Sequence, residues 1–206
     1  MMNKEREYRN LELRADTNDS GDYLVRGYAS TWDKYMLWEC DGIEYYEEID
    51  RNAFEEADLS DVVFRVDHTG RVYARTSANT VSLSTDDTGL AITADLSKTT
   101  ASRSLYEDIV AGNYPKMSFA FTVKEDKYNS ETRTRTILKI DKVFDVSPVS
   151  FPANPNTEIS ARDYFNGVIE GVEAERLERI RFSNMELQNE IKRNIIIAKL
   201  EGSLNE

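Results

Sequence analysis

A serine, a histidine and a supply of carboxylates are the residues of this chain that could do chemistry together. Pro115 to Val123 reads Pro-Lys-Met-Ser-Phe-Ala-Phe-Thr-Val. Its alternation puts Met117, Phe119, Phe121 and Val123 on one face of a strand and Lys116, Ser118, Ala120 and Thr122 on the other. The apolar face anchors the strand in a core, which leaves Ser118 on a rigid support beside the small Ala120, with room for an approaching group. A plain solvent-facing strand serine fits the same pattern, and on this stretch alone it is the commoner case. A serine hydroxyl is inert until a base takes its proton; histidine does so near neutral pH, and a third group must orient the ring. The chain has one histidine, so the base can only be His68. It follows Val62-Val63-Phe64-Arg65-Val66, which reads as a buried strand delivering Asp67-His68-Thr69-Gly70 at its end, where binding and catalytic groups are commonly held. Serine, histidine and acids permit a serine hydrolase. Spacing along the chain does not by itself bring Ser118 beside His68.

Composition removes several other chemistries. One histidine and one cysteine cannot make a zinc site, which needs several such ligands. No loop has the acid spacing of a calcium-binding hand, and no Gly-rich phosphate loop is present. Lys116-Met117-Ser118-Phe119-Ala120 is not the Gly-x-Ser-x-Gly elbow of an esterase. Cys40 is a poor nucleophile, because the acidic, aromatic segment around it raises a thiol's pKa. A formal net charge of −12 repels phosphate, so nucleic acid is not an expected partner. Neither an apolar signal core nor a run of about 18 apolar residues occurs, so the expectation is a soluble, intracellular protein with no membrane partner.

The elements that must position these residues can be taken in chain order. Residues 1–30 read as a strand pair around the turn cluster Asp16 to Asp22. Trp32 to Glu48 is aromatic and acidic, with a turn at Asp41-Gly42 and with Trp32, Tyr35 and Trp38 as core or rim packing. Asp50 to Ala57 reads as a short helix capped by Asp50. Thr76 to Ser84 and Gly89 to Asp95 pair as strands about the turn Asp86-Asp87-Thr88-Gly89. Thr99 or Thr100 caps a helix through Leu105, Ile109 and Val110, closed by Gly112. Residues 123–146 form a hairpin turning near Asn129-Ser130. After it, Ser147 to Pro155 holds three prolines and reads as a rigid loop rather than a central strand. From about Arg162 the chain reads as an amphipathic helix with a seam of Leu177, Ile180, Asn184, Leu187, Ile191 and Asn194, fit to dock on the domain or on another subunit. The expected division is a domain over 1–160 and a helical tail over 161–206.

A set of motifs gives this order a family likeness. Arg26-Gly27-Tyr28-Ala29-Ser30 is followed by Asp67-His68, Ala74-Arg75-Thr76, Thr88-Gly89-Leu90 and Ala94-Asp95-Leu96. Met117-Ser118-Phe119-Ala120-Phe121 and Asp145-Val146-Ser147-Pro148-Val149-Ser150-Phe151-Pro152-Ala153-Asn154-Pro155 complete it. Over roughly residues 22–160 the chain resembles the prohead maturation proteases of HK97-type tailed bacteriophages, relatives of the herpesvirus assemblins.

The resemblance implies a mainly β fold, a small closed or nearly closed antiparallel barrel with outer helices and the C-terminal helical extension. It implies Ser118 as nucleophile, His68 as general base and Asp145 as orienting acid, with no cofactor and no metal. Asp145 stands where the family usually has Glu, one methylene longer, so Asp141, further back on the same strand, is the alternative. Ala120 stands where the family often has Gly. Asp67 is expected to serve nearby backbone, and Ala153 and Asn154 to supply oxyanion N–H groups. The implied activity is cleavage of the scaffold part of the major capsid protein, and of the chain itself, inside the assembling prohead in the host cytoplasm. The partners are then the capsid precursor or scaffold protein, with the tail either docking the protease on them, the favoured role, or removed by self-cleavage, and with self-association as in the herpesvirus relatives. The rival reading is a catalytically silent assembly protein on the same fold.

Overall fold

The computed structural model describes residues 6–12, 23–40 and 42–150, together with scattered positions between 177 and 193. The chain divides into two compact units, Met1–Arg162 and Asp163–Glu206. In the first, the strands are β1 (Glu7–Glu12), β2 (Leu24–Thr31), β3 (Tyr35–Cys40), β4 (Ile43–Ile49), β5 (Val63–Arg65), β6 (Val72–Arg75), β7 (Val81–Thr85) and β8 (Gly89–Asp95). The helix α1 (Thr100–Val110) and the long strands β9 (Lys116–Asn129) and β10 (Thr134–Val149) complete it. The fold is mainly β, as expected. The strands form two sheets rather than a closed barrel: a seven-stranded sheet ordered β1-β9-β10-β4-β3, with β5 also beside β10 and β6 beside β5, and a three-stranded sheet ordered β2-β8-β7. Nor is the larger sheet wholly antiparallel. β10 is long enough to pair β9 along one side while taking β4 and then β5 in parallel along the other.

Local rules account for the elements that hold. Thr99 caps α1 by accepting the Ser102 N–H, and the chain leaves the helix through Gly112 at φ 84°, a conformation that favours glycine. Asn129 receives the Glu131 and Thr132 N–H groups and so makes the β9–β10 turn. Gly89 lies so close to β2 that a Cβ would sit 1.9 Å from the Ser30 carbonyl oxygen, hence no side chain fits there.

Other expectations are corrected. β1 and β2 do not pair with each other; β1 adds to β9 and β2 to β8. Residues 16–22 lie outside the described residues. The segment 35–49 is a β-hairpin, which its acids and aromatics had hidden. Asp50 does cap, through the Asn52 N–H, but residues 51–56 form a run of turns closed by i to i+3 bonds rather than a helix. Pro148 lies inside β10, not in a loop. Its carbonyl accepts the Asp67 N–H, so its nitrogen faces the same side, beyond the end of β5, where the missing N–H costs no bond to β9.

The core is built on one face of the β9–β10 pair. Met117, Phe119 and Phe121 are fully buried, Val146 lies opposite Phe119, Val143 opposite Phe121 and Ile140 opposite Val123, and the Phe119 and Phe121 rings stack at 4.5 Å. On the same side, Glu47 of β4 is fully buried between two arginines. Arg9 of β1 binds it through Nε and, at 2.7 Å, through Nη2, while Arg135 of β10 reaches it at 3.1 Å and Glu7 at 2.6 Å. The Tyr35 hydroxyl also donates to Glu47. This cluster ties the edge strand β1 to the sheet, and it is satisfied on all sides.

In the second unit the described positions between 177 and 193 are helical, and Leu177, Ile180, Phe182 and Met185 are exposed. The remaining seam positions, Asn184, Leu187, Ile191 and Asn194, lie outside the described residues. No helix among the described residues is long and apolar enough to cross a membrane.

Removing the Glu47 charge takes from Arg9 and Arg135 the carboxylate between them and leaves them Glu7 and, for Arg135, Asp126. The variant Glu47→Gln is expected to lose about 1.5–3 kcal/mol of stability, measured as a lowered urea midpoint.

Candidate active site

Three strands bring the site together. β9 carries Ser118, β10 carries Asp145, and the turn after β5 carries His68. In the β9–β10 ladder Ser147 lies opposite Ser118 and Asp145 opposite Ala120. Residues directly opposite each other share a face, so Ser118, Ala120, Asp145 and Ser147 look to one side and the phenylalanines to the other. Both sides are buried, so the plain solvent-facing serine that the stretch alone also allowed is not what is found: Ser118 and Asp145 have no exposure and His68 has 8%.

His68 reaches this face through strained backbone. Asp67 and His68 are both in the left-handed region, at φ 46° and 57°, which non-glycine residues seldom enter. The surroundings hold them there. The Asp67 N–H donates to the Pro148 carbonyl at 3.1 Å, the Thr69 N–H closes the turn on Val66, and the Asp67 carboxylate receives the Ser150 N–H and hydroxyl at 3.0 and 2.8 Å. Asp67 does serve nearby backbone. It does so from a left-handed turn, not from a strand as the sequence suggested. The turn bearing His68 is thereby lashed to the end of the strand bearing Asp145.

The His68 ring bridges the other two groups. Its Nδ1 lies 2.5 Å from Asp145 Oδ1 and its Nε2 lies 2.7 Å from Ser118 Oγ. Burial pushes the Asp145 carboxyl up, but the hydrogen bond and charge of His68, the Ser147 hydroxyl at 2.7 Å and the charge of Arg65 together hold it below the ordinary carboxylate range. An ionised carboxylate only accepts, so Nδ1 carries the hydrogen and Nε2 is left to accept from the Ser118 hydroxyl. An arrangement of this kind can move a proton off serine without moving the ring. Tyr8 of β1, opposite Ala120, sets its ring against His68 at 4.6 Å, edge to face.

Asp141 is not part of this group. It is the extra residue of a bulge between Ile140 and Lys142, its carbonyl accepts the Asp58 N–H, and it lies roughly 13 Å back along β10. Ala153 and Asn154 lie outside the described residues. Among the described residues no group of three or more His, Cys, Asp or Glu could hold a metal ion. Sequence reasoning missed Tyr8, Ser147 and Arg65, whose Nη2 donates to Asp145 Oδ2 at 2.8 Å. Arg65 carried a signal, a lone charge in an otherwise apolar strand.

A carboxyl held below its unfolded value gives stability that is complete above about pH 4 and is lost as the pH falls through the lower folded value. The stability gap between the parent and Asp145→Asn is therefore expected to be wide at pH 6 and to shrink below pH 4, read from denaturant midpoints across that range.

Residues 9–167 match the family model described as caudovirus prohead serine protease. No curated protein and no solved structure matches the chain. The family match spans most of the first unit and takes in all three strands that build the site, so the chain belongs to the caudovirus prohead serine protease family.

Proposed function

We propose that the chain is the serine endopeptidase of capsid maturation, with Ser118 as nucleophile, His68 as general base and Asp145 as the acid that orients His68. The observation that carries this reading is the single imidazole in hydrogen-bond reach of both the serine and the acid. His68 Nε2 takes the Ser118 proton as Oγ attacks the peptide carbonyl, and Asp145 stabilises the imidazolium that forms. The imidazolium gives its proton to the leaving amine, and water then repeats the sequence on the acyl-enzyme.

The substrates in this reading are the scaffold part of the major capsid protein and the chain itself, inside the assembling prohead in the host cytoplasm. Confinement raises the effective concentration of substrate and lets a slow enzyme finish its work. The tail over 161–206, with Leu177, Ile180, Phe182 and Met185 exposed, recruits the protease to capsid or scaffold protein.

Co-expression with the capsid precursor, read by intact mass, tests the reading. Ser118→Ala and His68→Ala are expected to abolish cleavage, and Asp145→Asn to lower kcat about 10³–10⁴-fold. Cleavage that survives Ser118→Ala overturns the assignment, and a parent chain that never cuts the precursor favours the silent assembly protein.

A further inference from the structure

Arg65 is the last residue of β5, three positions before His68, and it is the one charge in the apolar run from Val62 to Val66. Val63 pairs with Asp145 across β5 and β10, and Arg65, two residues on, projects from the same face as Val63. Its Nη2 donates to Asp145 Oδ2 at 2.8 Å. Its Nε–H is buried without a partner among the described residues. An unpaired buried donor costs stability, so folding alone gives no reason for a guanidinium here. Its one side-chain hydrogen bond among the described residues goes to the acid of the site.

The bonding of Asp145 shows what that contact does. Oδ1 receives both His68 Nδ1 and the Ser147 hydroxyl, while Oδ2 receives Arg65. A fully buried carboxylate with a bare Oδ2 would be free to turn and exchange its oxygens. We infer that Arg65 is a positioning residue of this protease, acting through Asp145 by locking the carboxylate with Oδ1 toward His68. The inference rests on the proposed roles of Ser118, His68 and Asp145. The groups facing the His68–Asp145 pair are Arg65 from β5, Ser147 from β10, Ser118 from β9 and the Tyr8 ring from β1; Asp67 spends its carboxylate on Ser150. Arg65 is the cation among them, so its removal makes the pair easier to protonate.

The one histidine gives ring N–H signals that need no assignment, so the His68 Nδ1–H bond to Asp145 can be read by NMR in the full chain alongside precursor cleavage. In Arg65→Gln that signal is expected to broaden or move upfield, and kcat to fall about tenfold with KM little changed. A fall in kcat with the Nδ1–H signal unmoved would make Arg65 merely structural and overturn the inference, and so would an unchanged kcat. Should Arg65→Gln fail to fold, Arg65→Met is read in the same way: a moved signal with lowered kcat supports the inference, and either one unchanged overturns it. The NMR reading needs no substrate, so it reads Arg65 even if cleavage survives Ser118→Ala, and the two failures stay distinct.

Discussion

The register between β9 and β10 is the constraint on which the site depends. Val143 lies opposite Phe121, but Asp145 lies opposite Ala120, so Phe144 is an extra residue in β10. Side chains alternate along a strand, and a one-residue slip exchanges faces. Without the bulge at Phe144, Asp145 would lie opposite Phe119 and point into the aromatic core. With it, Asp145 joins Ser118 and Ser147 on the polar face while Val143 and Val146 both stay in the core. The third member of the site is therefore placed by backbone pairing and not by a local motif. The shorter Asp reaches His68 because the strand and the His68 turn are drawn together by the Asp67 bonds to Pro148 and Ser150.

Two buried polar clusters lie on opposite faces of the same strands. On the core face Glu47, Arg9, Arg135 and Glu7 satisfy one another and hold β1 against β9. On the other face His68, Asp145, Ser147 and Arg65 bond one another around Ser118, with the Arg65 Nε–H left over. The first supports the second, because β1 alternates: Arg9 enters the ionic cluster and Tyr8, its neighbour, lies against the His68 ring. Each charge is tolerable because it is paired; an isolated one would cost several kcal/mol, about as much as many domains have to spare.

The sequence was most legible where a local rule decides the outcome. The Thr99 cap, the Gly112 exit, the Asn129 turn and the apolar run ending at His68 each come from residue type and short-range bonding. Ser118 and His68 could be singled out by chemistry, while Asp145 came only through family likeness. Long-range pairing was not legible. Nothing in residues 7–12 says that they add to β9 rather than to β2, and nothing around Phe144 announces the bulge. Pro148 misled for a related reason: its strand is central, but its nitrogen faces away from β9, beyond the end of β5, so the missing N–H breaks no bond of the β9 ladder. The left-handed turn at Asp67 and His68 is likewise fixed by partners some 80 residues away, beyond the reach of local preference.

The central claim is that one imidazole activates one serine. Phosphonylation by a serine-reactive organophosphonate, mapped by peptide mass, tests it without any capsid protein. The account predicts a single modified residue, Ser118, whose labelling is lost in His68→Ala while the fold is retained. Label on another serine, or undiminished labelling of Ser118 in the His68 variant, would contradict it.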